Sequence, residues 1–164
     1  MATTSLRGTP VNTVGELPAV GSKAPAYELV GGGLAPLASS DLTGRTILNI
    51  FPSLDTPTCA ASVRKFNEVA ASLAGTTVLN VSQDLPFAQA RFCGAEGIEN
   101  VKVGSAFRSS FGQDFGVQLA DSPMAGLLAR AIVIVDADGT VTYTELVPEI
   151  AQEPDYDAAL KSLN

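Results

Sequence analysis

The sequence predicts an α/β protein with a central mixed β-sheet flanked by helices. Three observations point there. Apolar runs of strand length alternate with stretches of helical periodicity through the middle of the chain. The pattern then switches to a hairpin, with Asp138-Gly139 between two apolar runs. Finally, 164 residues with 46% hydrophobic content suit one domain, residues 1–164, with its own core.

The elements follow in order. Residues 6–14 hold Gly8-Thr9-Pro10 and form a candidate hairpin, so residues 1–20 read as an N-terminal extension. Residues 27–30 and 34–37 read as short strands around Gly31-Gly32-Gly33, an added edge to the main sheet. Residues 46–51 form a buried strand. A helix follows, with Val63, Phe66, Val69 or Ala70, and Leu73 at helical spacing and Gly75 at its exit. Residues 76–81 are the next strand. A short helix over 84–92 is capped by Asp84 or Leu85, carries Pro86 in its first turn and leaves at Gly94. A strand over 101–103, a short helix over 109–115 and a strongly apolar strand over 130–136 come next. Residues 140–146 complete the hairpin, and 155–163 form a final helix.

Composition excludes several chemistries. There is no histidine, which removes Ser-His-Asp and Cys-His catalysis and every histidine-containing zinc site. Two cysteines cannot build a four-cysteine zinc site. The net charge of −7 argues against general binding to nucleic acid or anionic membranes. No apolar run approaches the roughly 20 residues of a membrane helix. Residues 1–14 lack a signal-type apolar block, so export by that route is not expected and a cytoplasmic location is.

The chemistry concentrates in Pro52-Ser53-Leu54-Asp55-Thr56-Pro57-Thr58-Cys59. This segment joins a strand to a helix, at the sheet edge where ligands collect in α/β folds. With Thr56 as N-cap and Pro57 first in the helix, Cys59 takes the third position. Unpaired amides and a positive dipole end there stabilise a thiolate, the nucleophilic form of cysteine. Pro52 would fix the loop and shield the thiol. Each residue also has a plainer role: Thr56 as a cap, Pro57 as a helix starter, Pro52 as a strand terminator and Cys59 as core.

The Pro-x-x-x-Thr-x-x-Cys spacing of Pro52, Thr56 and Cys59 resembles the peroxiredoxin motif in full. The run from Phe51 to Phe66 is similar to the bacterial thiol peroxidase branch of that family. So are Asp84-Leu85-Pro86-Phe87-Ala88, the stretch from Arg91 to Gly97, and Leu128-Ala129-Arg130-Ala131. The resemblance implies a thioredoxin-like fold. It makes Cys59 the peroxidatic cysteine and Cys93 the resolving one, and it maps the family's arginine onto Arg130, with Arg108 a second candidate. It implies reduction of hydrogen peroxide and alkyl hydroperoxides, recycling by thioredoxin, a homodimer packed near the active-site loops, and no metal or organic cofactor. Phe51, Phe87, Phe92, Phe107, Phe111 and Phe115 are expected to be mostly core, some of them lining an apolar entrance. Cys93 lies near a helix end, where the dipole favours the neutral thiol. Two other readings stay open at this level: a redox sensor using the same switch, and a binding domain in which the cysteines form a fixed bridge.

Overall fold

The computed structural model describes all residues from 1 to 164. The chain opens with a hairpin of β1 (Thr3–Leu6) and β2 (Thr9–Asn12). Arg7 (φ 50°) and Gly8 (φ 84°) form its two-residue turn, both with the positive φ that matches the twist of paired strands. The hairpin therefore begins three residues earlier than expected, and Pro10 lies in β2 opposite Ser5 rather than in the turn.

The main sheet contains β3 (Glu28–Val30), β4 (Pro36–Ala38), β5 (Arg45–Ile50), β6 (Thr76–Ser82), β7 (Lys102–Ser105), β8 (Ala131–Val135) and β9 (Val141–Leu146). Their spatial order is β4-β3-β7-β6-β5-β8-β9. Strands β5, β6 and β7 are parallel, and all other pairings are antiparallel. The mixed sheet is as expected, and β3–β4 is its added edge.

Side chains alternate across this sheet with the period of two that a strand imposes. On β5, Leu48 and Ile50 enter a core with Leu79, Val81, Phe111 and Phe115. Ile47 enters the opposite core with Phe66, Val78, Ile132, Ile134 and Ala159. Helix α1 (Pro57–Ala70) and helix α4 (Tyr156–Lys161) cover the Ile47 face, while the one-turn α3 (Phe111–Asp114) covers the other.

Helix α2 spans Pro86–Glu96 and departs from its expected limits. It does not leave at Gly94 but continues to Gly97, whose φ of 65° ends it. The amides of Gly97 and Ile98 turn back onto the Cys93 carbonyl, satisfying an end group that would otherwise be orphaned. Leu85 rather than Asp84 caps the start.

The hairpin and the chain after it are pinned to the body. The Val14 amide donates to the Gln118 carbonyl (2.8 Å), and Ala120 donates to Asn12 (2.8 Å). Gly116 (φ 68°) makes this approach possible, since a methyl there would fall on the Glu16 backbone. Gly126 also has positive φ (92°) but open space around it. Gly126→Ala should therefore cost about 1–2 kcal/mol from the backbone conformation alone. Gly116→Ala should cost more than about 3 kcal/mol, with denaturant midpoints as the measure. Equal losses would show that the packed N-terminal segment contributes nothing to stability.

Candidate active site

The parallel strands end together, and the loop after β5 crosses that edge. Phe51 continues the ladder with its amide on the Val81 carbonyl (3.1 Å), and Pro52 after it is buried. Asp84, at the end of the neighbouring strand, then grips the loop. It accepts from the Ser53 hydroxyl (2.7 Å) and the Leu54 amide (2.8 Å), while Ser82 donates to the same carboxylate (2.7 Å). Asp84 is thus a loop clamp rather than a helix cap. The sequence signalled only an acidic residue near a helix start, because its partner Ser53 lies 31 positions away.

Thr56 is the N-cap of α1 and Pro57 is its first residue, as expected. The Thr56 hydroxyl, however, makes no cap bond and donates to the Ser53 carbonyl (3.0 Å). Its oxygen lone pairs remain free to accept. The first amide with a helical acceptor is that of Ala60, on the Thr56 carbonyl (3.0 Å), so the Thr58 and Cys59 amides before it are unpaired.

Cys59 is fully buried. Its sulfur accepts from Nη2 of Arg130 at 3.1 Å. Arg130, just before β8, is itself only 2% exposed. Its Nε donates to the Ile150 carbonyl (2.7 Å), whereas Nη1 is buried with no acceptor in the protein. Arg108 takes no part: it is exposed and lies over the Phe107 ring (5.4 Å).

A buried polar chain holds the first turn of α1 from beneath. Ser62 donates to the Cys59 carbonyl (2.8 Å) and accepts from Asn49 (3.2 Å). Asn49 also donates to its register partner Asn80 (2.8 Å), which donates to the Lys102 carbonyl (3.2 Å). Thr58 is tied from outside, its hydroxyl donating to the Ala151 carbonyl (3.1 Å). Only the burial of Asn49 and Asn80 within apolar strands could have flagged this chain in the sequence.

Cys93 sits in the last turn of α2, half-buried and free, as Cys59 is. Both cysteines border one apolar cluster with Phe51, Leu54, Val63, Ile98 and Phe92. Burial pushes the Cys93 thiol up from its ordinary value. The neutral thiol is favoured as expected, with desolvation as the cause. The phenylalanines divide: Phe51, Phe111 and Phe115 are core, but Phe87 is 68% exposed and Phe107 41%. Both lie outside the core, at the start of α2 and in the loop after β7.

A thioredoxin-like sheet with a cysteine in the first helical turn after its parallel strand β5 points to the redoxin class. Residues 19–160 match the Redoxin family. A thiol peroxidase of Mycobacterium tuberculosis is 66% identical over 164 residues, covering 99% of each chain. A thiol peroxidase of Corynebacterium glutamicum is 58% identical over 165 residues, with all of both chains covered. The crystal structure of a peroxiredoxin-like protein from Aquifex aeolicus superposes with a TM-score of 0.91 at 40% identity, covering 99% of this chain and 96% of that one. The chain belongs to the redoxin family, in the bacterial thiol peroxidase branch of the peroxiredoxins, and is a peroxiredoxin-type enzyme.

In a Cys59→Ser variant, alkylation of Cys93 by iodoacetamide should be slower than that of free cysteine at neutral pH. It should still be climbing above the ordinary thiol range. A rate that levels off near neutrality would contradict the burial assigned to this thiol.

Proposed function

We propose that the protein reduces hydroperoxides through a Cys59 sulfenic acid that Cys93 resolves as an intramolecular disulfide, with thioredoxin restoring both thiols. The observation that carries this is the unpaired Nη1 of Arg130, buried beside the sulfur that Nη2 contacts. A buried charged donor without an acceptor is costly, and a peroxide oxygen is an acceptor of the right size.

The Cys59 thiolate attacks the nearer peroxide oxygen along the O–O axis. A sulfur–oxygen bond forms, the O–O bond breaks, and the sulfur is oxidised while the peroxide is reduced. The departing oxygen leaves with the electron pair and takes up a proton to become an alcohol or water. Arg130 and the free Thr58 and Cys59 amides supply preorganised donors for that developing charge. Thr56, its proton committed to Ser53, can accept the O–H of the hydroperoxide and orient it. Pro52 keeps bulk water from the sulfur.

The Cys93 thiol then attacks the sulfenic sulfur. A disulfide forms, and the hydroxyl leaves as water with the thiol proton. Thioredoxin's dithiol reduces this bridge by exchange and is itself oxidised. Because Cys59 is in a packed helical turn, its reach to Cys93 requires local unwinding. The reading covers residues 1–164 as one unit, residues 1–20 being its hairpin extension, at work in the bacterial cytoplasm. Exposed Leu85, Phe87 and Phe107 support a homodimer packed near the active-site loops. No helix of the chain is long and apolar enough to cross a membrane.

Thioredoxin-coupled NADPH consumption with cumene hydroperoxide tests the cycle. Turnover should vanish in Cys59→Ser, and Arg130→Lys should lower the rate of peroxide reaction by about 100-fold. An intact, pre-reduced protein that fails to turn over would refute the reading. Amide exchange near Cys59 should be faster in the oxidised than in the reduced protein; equal protection would count against unwinding.

A further inference from the structure

We propose that Glu149 is a positioning residue for the reaction centre: through Ile150 it sets the plane of the Arg130 guanidinium, and it thereby makes the N-terminal hairpin part of the active-site support. This rests on the role given to Arg130 above.

Arg130 has no carboxylate partner. The three ion pairs of the protein, Lys23–Asp138, Arg64–Glu96 and Arg91–Asp55, all lie elsewhere. Its acceptors are the Cys59 sulfur and the Ile150 carbonyl. A guanidinium is a rigid plane, so two fixed donors set the direction of the third. One of the two fixing points, Ile150, belongs to no strand or helix. Something outside regular structure must hold that carbonyl in place.

Glu149 does so from the residue before. One carboxylate oxygen accepts from the Ala151 amide (3.0 Å). The other accepts from the Gly8 amide (2.9 Å) of the hairpin and, more weakly, from the Ser5 hydroxyl (3.3 Å), whose single proton is shared with the nearer Pro148 carbonyl. The carboxylate therefore spans Ile150, from the residue after it to the β1–β2 turn. Ile150 donates its own amide to the Ser5 carbonyl (2.8 Å). Ser5 also donates to Pro148 (2.9 Å), and Thr4 donates to Val147 (2.8 Å). The far side of the same segment meets Thr58 through the Ala151 carbonyl (3.1 Å). Glu149 thus braces both carbonyls that touch the reaction centre, one on Arg130 and one beside Cys59. The amides of Ala151 and Gly8 hold its carboxyl below the usual carboxylate range.

Glu149→Gln replaces one acceptor oxygen with a donor that faces an N–H, so one arm of the brace must open. The test follows Cys59 in the full, pre-reduced chain by rapid quench and mass spectrometry, with cumene hydroperoxide and separately with iodoacetamide. Peroxide attack uses the Arg130 plane; alkylation needs only the thiolate. Glu149→Gln should slow the peroxide reaction about tenfold and alkylation by less than about twofold. With Arg130→Lys already present, it should change the peroxide rate by less than about twofold more. Ser5→Ala, a milder opening of the same brace, should show the same selective loss in smaller measure. An unchanged peroxide rate in Glu149→Gln would overturn the proposal. So would equal loss of both reactivities, or the same loss with and without Arg130, since either marks a merely structural role. Arg130→Lys at full peroxide rate would instead remove the reading on which the proposal rests.

Discussion

The buried charge of Arg130 constrains everything around it. Taking a guanidinium out of water costs several kcal/mol unless its donors are matched. No carboxylate matches them here. A backbone carbonyl and a sulfur do, and one nitrogen has no acceptor. The sulfur is the one side-chain atom that accepts from this guanidinium. In the proposed reaction the spare donor turns a structural contact into a reactive one, because it offers a peroxide oxygen a preorganised partner.

Sheet topology meets this constraint. Strand β8 runs antiparallel to β5, and their register pairs Ala131 with Ile50. The start of one strand thus meets the end of the other, which brings Arg130 to the edge where the Pro52 loop begins. A parallel β8 would deliver its opposite end there. The parallel β5–β6 pair acts on the other side, setting Asp84 at the same edge to grip the loop. Arginine, loop and helix start converge because β5 and β6 end at the edge where β8 begins.

The site is held firmly, yet the chemistry proposed for it requires movement. Ser62 and Asn49 secure the Cys59 turn from below, and Thr58 is tied to Ala151 from outside. Asn49 leaves its own oxygen without a partner, a local conflict within an otherwise satisfied network. Cys93 waits at a helix end in the same apolar cluster, its thiol kept neutral by burial. Such an arrangement separates two tasks. In the proposed cycle the folded site serves attack on peroxide, and opening of the turn serves the disulfide.

Much of this is legible in the amino-acid sequence. Period-two and helical apolar patterns place the inner strands and α1, because burial on one face imposes those periods. The spacing of Pro52, Thr56 and Cys59 is local, so their placement around a helix start follows from capping rules alone. What could not be read lies in long-range pairings. The limits of α2 depended on the Gly97 cap rather than on Gly94, two glycines with the same local look. The Thr56 hydroxyl could have capped the helix, but loop geometry turned it to Ser53. Arg130 reaches Cys59 across 71 positions, and Glu149 reaches Gly8 across 141. Local sequence dictated which residues are chemically able to act. Strand register and loop contacts, which depend on the whole chain being folded at once, dictated which of them meet.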